Sequence, residues 1–212
     1  MFGTLLAIAL TGALTGAGAP PAGLHFDCAG PVAPTTPAKA VLARYGKDAR
    51  RRDIMGDDVL GVGRKTVKGV VLYPDDPARR LEITYWDDAQ TAVRSVTAGA
   101  RAVAWSGPLG LHVGATLEET KAANGHNFGI SGFDSGYGGY VDSSWGGRLG
   151  KRDEGCAIQV RFALPDGAKI PDALKGEEDL DTTLPAVKTA GLRIAQLSID
   201  WPLPAGIKAS GF

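Results

Sequence analysis

Few of the residues that carry common site chemistry are present. The chain of 212 residues has two cysteines, three histidines and two methionines. Three scattered histidines and two distant cysteines offer no ligand spacing for zinc, which needs close pairs of ligands. Net charge is also missing: Lys+Arg and Asp+Glu are 23 each. A dedicated nucleic-acid binder needs a cationic surplus to displace phosphate counterions, so none is expected as a partner. Beyond the first segment, no apolar run approaches the roughly 20 residues of a membrane span. No phosphate loop is expected either. In Gly56 to Thr66, Val62 stands where the lysine of that motif should follow Gly61, and a strand follows in place of a helix. The Glu177 to Asp181 cluster lacks the alternating acids and central glycine of a calcium loop. No cofactor and no metal ligand set is expected.

What is present begins with a targeting pattern. Phe2 to Leu14 is apolar and uncharged, and Ala17-Gly18-Ala19 before Pro20-Pro21 forms a small-residue cleavage site. Residues 1–19 are read as a signal peptide, which makes the protein periplasmic or secreted. In an oxidising compartment a lone cysteine pair closes, so Cys28 and Cys156 are expected to form a disulfide.

The mature part reads as α+β. Residues 20–36, rich in Pro, Ala, Gly and Thr, are an irregular lead-in. Thr36-Pro37 opens a helix over 37–45 that Gly46 ends. Lys47 to Arg64 reads as an exposed loop with at most one strand. Val67 to Tyr73 and Leu81 to Trp86 flank a Pro-Asp-Asp-Pro turn and form a hairpin. Residues 92–96 and 101–105 are weaker strand candidates. Thr116-Leu117-Glu118-Glu119 is a capping box for a second helix, closed by Asn124-Gly125. Tyr140 to Trp145, Ala157 to Leu164 and Leu192 to Trp201 are strand candidates. The last slips phase between Ile194 and Leu197, the signature of a bulge. The order helix then hairpin occurs twice. The expectation is two helix-plus-antiparallel-hairpin halves, 37–106 and 107–212, packed as one compact, strand-rich unit.

The second half carries a resemblance. Gly110-Leu111-His112-Val113-Gly114, Leu117 to Glu119, Asn124-Gly125, Phe128, Gly132-Phe133, Tyr137-Gly138-Gly139 and Trp145-Gly146-Gly147 follow one another in a fixed order. This resembles a family of uncharacterised exported bacterial proteins with a G-x-x-L-x-E-x-x-x-x-N-G helix, a GF-x-x-x-Y-G-G segment and a W-G-G turn. Thr182 to Pro202 is similar to that family's last strand. The chain departs from the pattern at Gly136, where the family carries an acid. The resemblance implies fold and compartment and no activity. At the level of fold alone, Val113 to Thr120 is also similar to the helix start of envelope proteins built from helix-plus-hairpin repeats.

No acid, base and nucleophile converge in the sequence, so no catalytic residue is assigned. Phe133-Asp134-Ser135-Gly136 looks like a protease nucleophile segment, but no histidine suits it. The conspicuous feature is the glycine-rich loop 127–147 with its aromatics. Aromatic side chains held by tight glycine turns can form a contact surface for a protein or an envelope glycan. Tyr137, Tyr140, Phe133 and Asp134 are the candidate binding residues, and Trp145 is expected to anchor the loop to the core. The expected function is a non-enzymatic binding module. The rivals are a hydrolase of an envelope or extracellular polymer, signalled by a deep pocket with two carboxylates, and a structural envelope protein, signalled by an aromatic-poor surface.

Overall fold

The structure, a computed structural model, describes residues 23–57, 64–134, 136–141, 145–150, 155–176 and 179–209; the expected signal segment, Ser135, Glu177 and Glu178 lie outside them. The elements in chain order are β1 (Leu24–His25), α1 (Ala38–Tyr45), β2 (Ala49–Asp57), β3 (Arg64–Leu72), β4 (Leu81–Tyr85), β5 (Val93–Ala98), β6 (Trp105–Ser106), α2 (Leu117–Asn124), β7 (Gly129–Ser131), β8 (Ala157–Ala163), β9 (Asp179–Asp181), α3 (Pro185–Thr189) and β10 (Arg193–Asp200). Six strands form one antiparallel sheet in the order β2-β3-β4-β5-β10-β8. The chain is α+β and strand-rich, as its alternating patterns predict. Four strands of this sheet come from 37–106 and two from 107–212, joined where Ile199 faces Val96.

Several local signals work as expected. Gly46 ends α1 at φ 53°, a conformation that glycine adopts without strain. The capping box of α2 closes in both directions. Thr116 Oγ1 accepts from the Glu119 N–H at 3.2 Å, and the Thr116 N–H donates to Glu119 Oε2 at 2.7 Å. The Thr116 N–H and hydroxyl together hold the Glu119 carboxyl below its ordinary value. The phase slip in the last strand is a real irregularity, with the β8 pairing shifting between Ile194 and Gln196.

Other elements differ from expectation. The stretch after α1 is a nine-residue edge strand, β2, paired with β3 along its whole length. Its Arg50-Arg51-Arg52 run suits an edge, where charge discourages pairing with another chain. Residues 101–105 are mostly turn, and only Trp105 and Ser106 pair, in parallel with Leu24 and His25. Residues 140–145 contribute isolated bridges at Tyr140 and Val141, and 142–144 lie outside the described residues. The polar region 165–190 contains β9, which pairs with β7, and α3.

Alternate residues of the sheet strands face a single core. Val70, Leu72, Leu81, Ile83, Val96 and Phe162 are all buried in it. Trp105 and Phe26 meet edge-to-face at 6.0 Å in its N-terminal part. Cys28 and Cys156 are joined as a disulfide across 128 residues of sequence, tying the lead-in segment to the start of β8. Among the described residues no helix is long and apolar enough to cross a membrane.

Candidate functional site

The opposite face of the sheet is a cleft of about 650 Å³. Register explains its lining. Val71, Glu82, Thr97, Ser198 and Gln159 lie side by side across β3, β4, β5, β10 and β8. One rung further on, Gly69, Thr84, Ser95, Asp200 and Ala157 do the same. Below them Gln196 pairs with Arg161, and Arg161 bridges to Tyr140. Because side chains alternate at period two, the residues that flank these on each strand go to the core. The cleft face is thus a grid of hydroxyl, amide and charged groups between an apolar end, where Ile54, Val67 and Val71 cluster, and an aromatic wall.

The aromatic wall is built by the glycine loop. Gly139 sits at φ 84°, and a Cβ there would run into the Phe162 carbonyl. The two backbones can therefore touch: the Phe162 N–H donates to Gly139 O at 2.7 Å, and the Val141 N–H donates to Val160 O at 2.9 Å. This lays the loop along the outer edge of β8 and sends the tyrosines over the cleft. Tyr137 lines it with 49% of its surface exposed. Tyr140 is half-buried. Gln196 Nε2 donates to its Oη at 3.4 Å, and the Arg161 guanidinium lies 5.3 Å from its ring centre. Arg161 also donates from Nε to Gly138 O at 2.8 Å, which fixes its aim.

A second aromatic corner faces this wall. Trp86 Nε1 donates to Trp201 O at 3.1 Å, and the Arg94 guanidinium sits 5.0 Å from the Trp86 ring centre. Trp201 is itself buried, and its Nε1 has no acceptor among the described residues. Next to it in the chain, Asp200 is sunk in the cleft floor. Burial pushes its carboxyl up to about 6, against partial compensation from Arg94 and a 3.4 Å hydrogen bond from Ser198 Oγ. Thr84 and Ser95 hydroxyls share a 2.6 Å hydrogen bond. Glu82 is held by Arg80, whose Nε and Nη2 both donate to Oε1 at 2.9 and 2.7 Å.

Of the four candidate binding residues, Tyr137 and Tyr140 line the cleft. The other two hold the loop in place. Phe133 packs against the core, and Asp134 Oδ1 accepts the Gly176 N–H at 2.6 Å. Trp145 is 2% exposed, meets the Phe128 ring at a tilt with centres 4.9 Å apart, and donates from Nε1 to Ile158 O at 3.1 Å. The Asn124-Gly125 and Trp145-Gly146-Gly147 motifs belong together in space. Buried Asn124 donates to Trp145 O at 2.8 Å and accepts the Leu149 N–H at 3.0 Å. A Cβ on Gly147 would collide with Asn124. These motif residues are a structural clamp, remote in role from ligand contact.

Sequence reasoning missed the grid itself. Thr84 and Gln159 read as the polar side of alternating strands, and Thr97, Gln196 and Asp200 carried no signal. One signal was available: the cleft positions of β4, β5, β10 and β8 include no lysine. A freely solvated sheet face commonly carries lysine, whose long stem keeps its charge in water.

Compared with known proteins, the chain matches no family model, no curated protein and no solved structure. The site is therefore read from its own geometry.

Proposed function

We propose that this chain is an exported, non-enzymatic binding module that holds an envelope or extracellular component in the open face of its sheet. The observation that carries the reading is the pairing of a hydrogen-bonding grid with an aromatic wall on one concave surface. Tyrosine offers a large, stiff contact area with a polar tip, which suits a wet interface. A purely structural role leaves the aromatic wall without a purpose.

Export belongs to the same proposal. It is supported by the apolar start of the chain with its small-residue site, and by the Cys28–Cys156 disulfide, which an oxidising compartment preserves. Membership of the exported family whose loop pattern the chain resembles is proposed on the same footing. Mass spectrometry of the native protein should find an N-terminus near Pro20; an intact Met1 in a cytosolic fraction would remove the compartment argument.

A second reading, hydrolysis of a polymer, draws on two carboxylates in one cleft, Asp200 and Glu82. Asp200, raised to about 6, has the character of a general acid. Its partner is poorly placed. Glu82 is two strands away and one rung off, about 12 Å between Cα atoms by strand spacing, and it is occupied by Arg80. The binding reading is therefore preferred.

The test compares retention on an envelope fraction of the native host. Wild-type protein should be retained, and a Tyr137→Ala/Gln159→Ala double variant of unchanged melting temperature should wash through. Equal retention of the two would refute the cleft as the binding surface. Turnover of an envelope polymer that is lost in Asp200→Asn would favour the hydrolase.

A further inference from the structure

We infer that the ligand of this cleft is a neutral carbohydrate chain lying across the strands, an inference that rests on the binding reading above. Four observations converge on that class. The first is charge. Arg94 and Arg161 face Glu82 and Asp200 in the cleft, and Glu82 already has Arg80. Neither sign is in surplus, and the central strands contribute no lysine to this face. An anionic polymer would call for a cluster of free cations, and a cationic one for acids that ionise readily.

The second observation is the kind of hydrogen-bonding group. Thr97, Gln159 and Gln196 each present both donor and acceptor capacity. Sugar hydroxyls also donate and accept, so a grid of neutral two-way groups matches them better than it matches a phosphate or an ammonium group.

The third is shape. The two rungs span five strands, about 20 Å at ordinary strand spacing, so the surface fits several units of a chain. Tyr137 stands half-exposed at the β8 end, where its ring can lie on the C–H face of a sugar.

The fourth separates a sugar from a peptide. An extended peptide gains its affinity by pairing with a free strand edge. Beside the aromatic wall that edge is already taken, because residues 139–141 bond to Phe162 and Val160 of β8. Beside that wall the cleft offers a ligand side chains, not backbone.

The experiment is binding of the fluorescently labelled protein to an array of short neutral oligosaccharides (glucans, mannans, galactans and N-acetylglucosamine oligomers), followed by calorimetry with the strongest binder. The expected result is saturable binding to a neutral oligosaccharide, tighter for longer chains. Tyr137→Ala and Gln159→Ala should each weaken it about fivefold or more at unchanged melting temperature. Binding only to anionic glycans on a companion array would overturn the neutral class. No glycan binding, with cleft-dependent retention on deglycosylated envelope protein, would overturn the carbohydrate assignment and leave the binding module standing. A sugar bound equally by both variants would place the ligand elsewhere and overturn both.

Discussion

On β10, Leu197 and Ile199 enter the core while Gln196, Ser198 and Asp200 enter the cleft. On β8, Val160 and Phe162 go one way and Gln159 and Arg161 the other. The two faces are made from neighbouring residues of the same strands, so backbone hydrogen bonding is common to both. What separates them is side-chain chemistry alone. The core face is close-packed and apolar, where lost volume is felt directly. The cleft face is polar and open, and its groups meet each other only through a few bonds such as Thr84 to Ser95. Stability should therefore be concentrated on one face and recognition on the other.

Substitutions can break that division. The largest effect is expected on the core face. Phe162→Ala should destabilise the protein by about 3–5 kcal/mol in chemical denaturation, and Trp145→Ala, which anchors the loop behind the cleft, by a similar amount. A loss under about 1 kcal/mol at both sites would mean the core face is not the source of stability.

The next effect runs in the other direction and depends on pH. The Asp200 carboxyl titrates near 6 in the folded chain and near 3.8 when unfolded. The folded state thus holds that proton more tightly. Stability is greatest below the unfolded value, falls as pH rises through about 6, and stays reduced above it. Asp200→Asn removes the charge. It should stabilise the protein by up to about 3 kcal/mol near pH 8 and by almost nothing near pH 4. Equal effects at both pH values would show that burial of charge is not what distinguishes this cleft position.

Smaller still is the expected effect of Tyr137→Ala. Stability should change by less than about 0.5 kcal/mol, while retention on the envelope fraction weakens by about 1 kcal/mol or more. If Tyr137→Ala unfolds the protein as Trp145→Ala does, the tyrosine belongs to the core. The smallest change belongs to Thr97→Ala, within about 0.5 kcal/mol by calorimetric melting, because Thr97 is only half-buried on the open face.

The core face was the legible one. Alternation in Leu81-Ile83-Tyr85 and Ile158-Val160-Phe162 marks its strands, and the break in period between Ile194 and Leu197 marks the bulge. The capping box at Thr116 and the pairing of Cys28 with Cys156 were equally open to reading. β2 was legible only as a single strand somewhere within 47–64, because three successive arginines erase the apolar alternation on an edge strand. The grid was hidden for another reason. Its members come from 82–97 and 159–200, and only the register of β5 against β10 sets Thr97 beside Ser198. Periodicity reports that a residue leaves the core, but not which distant residues leave it on the same side. The aromatic wall was half legible. Glycine and tyrosine in alternation pointed to a loop surface, and the contact of Gly139 with Phe162 decided where that surface lies.

The last strand among the described residues is not last in the sheet. β10 lies between β5 and β8, so it supplies the middle of both the core and the cleft. Until residues 193–200 are available, β5 and β8 have no shared neighbour, and each presents an unsatisfied edge to its surroundings. A chain emerging from its N-terminus can form the β2–β5 meander early, because those pairings are local. The remainder must wait for a long-range insertion. The cleft is complete only once β10 stands between β5 and β8. Truncation ahead of Arg193 would leave a four-stranded remnant with its apolar side uncovered, a species prone to aggregate rather than a weakened binder.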